Sequence, residues 1–218
     1  MTKEDNFLKA IKEIRKTDKK RNFDQTIDLI VNLKNFNIKK DSFTTFVQVP
    51  NKVKEKKVAG FFEKKSDLLD TVIKEEFPRF KEKKDLKKLV KDYDFFIANA
   101  KLMPAVATDF GRVLGPAGKM PSPQLGIIPI ESPEAIKAVL AKINSSVRVR
   151  VKEPSVKVGV GKQSLTDEQI LKNIIAIYEK IVDGLPKKEE HVRSILIKLC
   201  MDKPIKVELK WKQNKQKL

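Results

Sequence analysis

The stretch Tyr93-Asp94-Phe95-Phe96-Ile97-Ala98-Asn99-Ala100 contains an unbroken apolar run of strand length. A strand with one wet face alternates apolar and polar residues, whereas a strand covered on both faces reads as a continuous run. This run predicts the second kind. Its neighbours agree. "SDLLDTVIKEEF" (66–77) and "KKDLKKLVKDY" (83–93) have helical spacing, with Ser66 and Asp85 as caps. "SPEAIKAVLAKINSS" (132–146) opens a further helix, with Ser132 as N-cap and Pro133 in the first turn. Alternating strands and helices predict a small α/β unit.

Between the strand and the last helix lies "FGRVLGPAGKMPSPQLG" (110–126), with four glycines and three prolines in seventeen residues. Its Gly118-Lys119 pair resembles the end of a phosphate-binding Walker loop. That loop needs glycine where Val113 stands and a hydroxyl where Met120 stands, and Pro116 removes a backbone donor. A nucleotide-dependent enzyme is therefore disfavoured. Glycine permits positive φ and proline fixes φ, so the composition predicts a rigid irregular loop. Two uses stand open: to present Arg112 and Lys119 to phosphate, or to join strand to helix.

Outside this middle the pattern changes. "NFLKAIKEIRK" places Phe7, Leu8, Ile11 and Ile14 on one helical stripe. "TIDLIVNL" alternates, with Ile27, Leu29, Val31 and Leu33 on one face. "DSFTTFVQVP" repeats that alternation up to Pro50, and "KKVAGFF" is a third short strand. Beyond the middle, "VRVRVKEPSVKVGVG" alternates on both sides of Pro154. A capping box at Thr166–Gln169 starts a helix with Ile170, Ile174, Ile177 and Ile181 as its core stripe. "SILIKLCM" and "PIKVEL" close the chain as strands before the basic tail "KWKQNKQKL". Strand-rich ends around an α/β middle predict one domain inserted into another. The boundaries fall at 64–155 for the inserted domain, with 1–63 and 156–218 forming the other.

The chain carries 47 Lys and Arg against 29 Asp and Glu, a formal +18. Such an excess suits a polyanion, and its alternative is a merely soluble basic protein. The excess divides evenly among 1–63, 64–155 and 156–218, so charge alone does not locate the binding face. No long apolar run and no N-terminal signal pattern occur, which predicts a soluble intracellular chain without membrane contact. One cysteine, Cys200, and one histidine, His191, leave no Cys-cluster or His-rich metal site, and no cofactor is predicted. Cys200 lies in an apolar alternation and reads as a core or strand thiol rather than a nucleophile. His191 reads as a surface or half-buried residue.

One basic constellation points to RNA. Lys19, Lys20 and Arg21 can neutralise phosphates, and Thr26 and Asp28 can hydrogen-bond ribose hydroxyls. Phe23 is either a stacking surface or an ordinary core residue.

Four segments, "RNFDQTIDLIVNLKNFNIKKD", "LGPAGKMPSP", "VGVGKQSLTDEQILKNI" and "IKLCMDKPIKV", together resemble the ribosomal protein L-one family in its archaeal and eukaryotic cytosolic form. The resemblance runs in order along nearly the whole chain. It implies a two-domain α/β (α+β) fold: a split β-α-β domain built from both chain ends, and an inserted Rossmann-like three-layer domain. It further implies a monomer in the large ribosomal subunit, bound to the rRNA of the mobile stalk and assisting release of deacylated tRNA from the exit site. Repression of the chain's own mRNA belongs to the same implication, and catalysis does not. Carried onto this sequence, the RNA surface comprises Phe23, Thr26, Asp28, Gly161, Lys162, Cys200, Met201, Asp202 and Lys203. The sequence departs from the family at Cys200 and Asp202, where Thr and Gly are usual, at Asp28, where Glu is common, and at Ala117, where Arg is frequent. The altered Cys200-Met201-Asp202 keeps an alternative open: a ribosome-assembly factor of the same fold.

Overall fold

The computed structural model describes residues 3–17, 21–81 and 83–208. In chain order the elements are α1 (Lys3–Thr17), β1 (Thr26–Leu33), a single turn α2 (Ile38–Asp41), β2 (Phe43–Gln48), β3 (Val58–Phe62), β4 (Asp70–Ile73), 3-10 turns at Lys74–Lys81 and α3 (Lys83–Asp92). There follow β5 (Phe95–Asn99), α4 (Met103–Ala117), β6 (Ile127–Ile128), α5 (Pro133–Asn144), β7 (Ser146–Val151), β8 (Ser155–Lys162), α6 (Asp167–Asp183), β9 (Val192–Leu199) and β10 (Ile205–Val207).

The chain forms two units, one from Met1–Lys54 with Ser145–Leu218 and one from Glu55–Asn144. This corrects the expected boundaries of 64 and 155. All five residues of β3 are buried, and β3 pairs in parallel with β4 and β5, so it belongs to the middle unit. Conversely β7 pairs antiparallel with β2 and belongs to the terminal unit. The correction relocates the charge. The terminal unit has 30 Lys and Arg against 16 Asp and Glu, a formal +14, and the middle unit has 17 against 13, or +4.

In the terminal unit a four-stranded antiparallel sheet has the order β10-β9-β1-β8. Because β8 and β9 both run antiparallel to β1, they are parallel to each other, and α6 connects them in a split β-α-β arrangement. The odd residues of β1 are all buried, matching the alternation in the sequence. They meet Phe7, Ile11 and Ile14 of α1 and Ile170, Ile174, Ile177 and Ile181 of α6 in one core. The capping box forms: Thr166 Oγ1 accepts from the Gln169 N–H, and Gln169 Oε1 from the Thr166 N–H. His191, expected as a surface or half-buried residue, is buried at 5% exposure.

In the middle unit four parallel strands have the order β4-β3-β5-β6. Phe61, Phe96 and Ala98 face α3 and α4 on one side, while Phe62, Ile97 and Ile128 face α5 on the other. The continuous run at 93–100 is thus covered on both faces. Ser132 Oγ accepts from the Ala135 N–H at 3.2 Å and caps α5.

Two expectations fail here. Only 74–77 are helical, as 3-10 turns, and residues 66–73 are not. Their β-branched run Thr71-Val72-Ile73 lies in the edge strand β4, and Ser66 donates its N–H to Thr71 Oγ1 instead of capping. The glycine-proline stretch is not an irregular loop up to Ala117, because α4 runs through Gly111, Gly115 and Pro116. Each helical glycine costs about 1 kcal/mol relative to alanine. The fully buried stripe of Val106, Phe110 and Leu114 outweighs that cost. Gly118, at φ 64°, ends the helix: its N–H reaches Gly115 O at 2.8 Å and the Lys119 N–H reaches Leu114 O at 2.9 Å. The glycine-lysine pair therefore follows a helix, whereas a phosphate loop follows a strand.

Candidate nucleic-acid interface

Antiparallel pairing brings three distant segments to one end of the terminal unit's sheet. Thr26, at the start of β1, pairs with Lys162 at the end of β8, and Ile27 pairs with Leu199 at the end of β9. The turns beyond these strand ends are tied together through Gln25, which is fully buried. Its carbonyl accepts from the Gln163 N–H at 2.8 Å, and its Oε1 accepts from the Met201 N–H at 3.4 Å. The Cys200 N–H donates to Thr26 O at 2.9 Å. Asp24 accepts from the Ser164 N–H at 3.1 Å and from its hydroxyl at 2.8 Å. From beneath, Arg15 of α1 donates to the carbonyls of Gln163 and Leu165 and pairs with Asp167.

The opposite face of the sheet is open: no helix among the described residues packs on it. Thr26, Asp28, Ile30 and Asn32 point there, out of phase with the core residues. By register Lys157 lies across from Ile30, Lys198 across from Asp28 and Lys206 across from Leu196. These lysines make the face basic. Burial pushes the Asp28 carboxyl above its usual range, and Lys198 pulls it part of the way back.

The structure gathers most of the expected residues here. Phe23 is 53% exposed and Met201 59%, so Phe23 is not a core side chain. Lys203 is exposed and Lys162 half-buried. Cys200 is exposed in a turn, which corrects its reading as a core or strand thiol. Gly161 is buried, and a β-carbon there would stand 2.9 Å from Leu165 Cδ1, the movable end of that side chain. Asp202 lies 3.6 Å from Arg21. Lys19 and Lys20 lie outside the described residues. Arg112 and Lys119 belong to the other unit. Arg112 is exposed on α4, but the Lys119 ammonium donates to Val90 O at 2.6 Å and Tyr93 O at 2.7 Å, binding α3 to α4.

Gln25, Lys157, Lys198 and Lys206 were not singled out from the sequence. The lysines are the polar phase of alternating strands, so the same alternation that located the core could have located them. A lone Gln before a strand gives no comparable signal.

A family model described as Ribosomal protein L1p/L10e family matches residues 11–202. The chain is 35% identical over 217 residues to the Large ribosomal subunit protein uL1 of Methanothermococcus thermolithotrophicus, covering 94% of this chain and 98% of that protein. The protein of the same name from Thermococcus kodakarensis is 33% identical over 213 residues, covering 93% and 96%. That from Methanocaldococcus jannaschii is 35% identical over 213 residues, covering 93% and 94%.

Proposed function

This chain belongs to the Ribosomal protein L1p/L10e family, and from that premise we propose that it is a structural, non-catalytic constituent of the large subunit of cytoplasmic ribosomes. In this reading it binds the rRNA of the mobile stalk through the open, lysine-bearing sheet face and the turns at its end. Assistance to release of deacylated tRNA, and repression of its own mRNA through a similar RNA fold, are parts of the same proposal. The observation that carries it is the convergence of residues 21–28, 161–164 and 199–203, with Phe23 and Met201 exposed beside the lysines of a unit of charge +14. Cations neutralise phosphates, and an exposed aromatic ring offers a face to a base.

Replacing Phe23 with Ala is expected to weaken binding to stalk rRNA by about 1–3 kcal/mol, the usual contribution of one stacked base. Binding to an unrelated duplex should change little. Filter binding or fluorescence anisotropy checks this, and equal losses on both RNAs would remove Phe23 from the recognition surface.

Asp202 gives the assembly-factor reading its footing. Its carboxylate is only 13% exposed and faces Arg21 at 3.6 Å, so it partly neutralises a cation of the site. Asp202→Gly is expected to tighten stalk binding by about 1 kcal/mol by freeing Arg21 and removing a charge that repels phosphate. Unchanged binding means that Asp202 points away from the RNA, and weaker binding that its carboxylate bonds a base or ribose. Sedimentation separates the two readings. A constituent stays with mature large subunits through a salt wash, and an assembly factor is confined to precursors.

A further inference from the structure

The middle unit holds a cleft of about 710 Å³ that the proposed rRNA contact does not use. It lies beyond the carboxyl ends of β3, β5 and β6, lined by Phe62, Asn99 and Pro129 next to those ends. From β3 the chain moves outward to β4 on one side, then returns to β5 on the other. Open parallel sheets bind ligands at such a reversal of strand order.

Its lining combines three chemistries. The floor is polar and fixed: Asn99, 4% exposed, donates through Nδ2 to Glu131 Oε1 at 2.7 Å, and the Glu63 N–H donates to the same oxygen at 2.9 Å. The walls are apolar. Leu68 is 40% exposed and Ile130 73%. The rim is basic, with exposed Lys64, Lys101 and Lys137, while Lys65 pairs with Glu76 at 3.7 Å. An inorganic anion makes no use of Leu68 and Ile130, and an apolar ligand makes no use of the lysines. Glu63, Asp67 and Glu131 would repel an acidic peptide, whereas sugar hydroxyls donate to carboxylates.

We propose that this cleft binds a ribonucleotide phosphate. The base lies against Leu68 and Ile130, the ribose hydroxyls donate to Glu131, and the phosphate meets Lys101 and its neighbouring lysines. An acidic side chain on the ribose is the recognition used by dinucleotide-binding parallel sheets. Lysine binds phosphate as a point charge. With no glycine-rich loop at the ends of β3 or β5, backbone donors add little, and the affinity is modest.

The test is a ¹⁵N NMR titration of the full chain with AMP, UMP, adenosine and inorganic phosphate. A nucleoside monophosphate is expected to shift the amides of residues 62–68, 99–101 and 129–137 with a Kd of about 0.1–1 mM. It should bind at least about fivefold tighter than adenosine or phosphate alone, since both halves of the site are then used. Lys101→Glu should weaken it about tenfold, and Phe23→Ala should leave it unchanged, because this site stands apart from the rRNA reading. No shifts in the wild-type chain at those residues, or an equal response to inorganic phosphate, overturns the proposal without reliance on any variant. A short single-stranded RNA that shifts the same amides at lower concentration assigns the cleft to a nucleotide within RNA. A mononucleotide that binds at least as tightly assigns it to a free one.

Discussion

Phe110→Ala is expected to destabilise the middle unit by about 3–5 kcal/mol, the usual cost of removing a buried aromatic ring. The Phe110 ring is fully buried, and its centroid lies 4.9 Å from that of Phe61, 5.0 Å from that of Phe77 and 5.9 Å from that of Phe80. Its loss leaves a cavity where α4 meets the sheet and removes the middle member of the Val106-Phe110-Leu114 stripe. That stripe holds α4 helical through two glycines, so the helix is poorly placed to absorb the change. Domains are stable by about 5–15 kcal/mol, and the loss is a large fraction of that. Calorimetry should show an early transition of the middle unit. Affinity for stalk rRNA should stay within about twofold below that transition, since the assigned contacts lie in the other unit. A loss under about 1 kcal/mol would mean that the rings do not form the core of this layer.

Asn173→Ala is expected to cost the terminal unit about 2–4 kcal/mol. Asn173 is fully buried on α6. Its Nδ2 donates to Asn51 O at 3.0 Å and to Val160 O at 2.8 Å, and its Oδ1 accepts from the Asn51 N–H at 3.0 Å. Asn51 returns a bond from its own Nδ2 to Gln169 O at 3.2 Å. One amide thus satisfies three backbone groups on β8 and on the segment after β2. Each group left unpartnered in the interior costs about 1–3 kcal/mol, with overlap between neighbours. Asn173→Asp should not rescue stability, because a carboxylate cannot donate to two carbonyls. Urea unfolding measures both variants. Rescue by Asp would show that side-chain size, rather than the hydrogen bonds, matters there.

Much of the terminal unit was legible because its signals agree with one another. The alternation of Ile27, Leu29, Val31 and Leu33 matches the burial of β1, and the Thr166 capping box with its isoleucine stripe matches α6. The continuous run at 93–100 is a parallel strand with neighbours on both sides. Legibility failed where local composition opposed packing. Gly111, Gly115 and Pro116 suggested a loop, while Val106, Phe110 and Leu114 carried the opposite and stronger signal. The domain boundaries were misplaced because β3 is short and its partners lie later in the chain. The candidate site was partly legible: Phe23 and Thr26 stood out beside the basic run at 19–21, and the 200–203 turn came from resemblance to a family. Their convergence depends on pairing between residues more than a hundred positions apart, which no local pattern encodes. The contact of Gly161 with Leu165 was hidden for the same reason, since the two meet only once the turn has formed.

The most direct test of the account is the affinity of the full chain for large-subunit stalk rRNA against a scrambled duplex of equal length, at about 0.15 M salt. Any chain of charge +18 binds RNA without preference at low salt, so the ratio carries the information and the bare affinity does not. A preference of about a hundredfold or more for the stalk sequence is expected, persisting as salt rises. Equal affinity for both RNAs, falling together with salt, would contradict it.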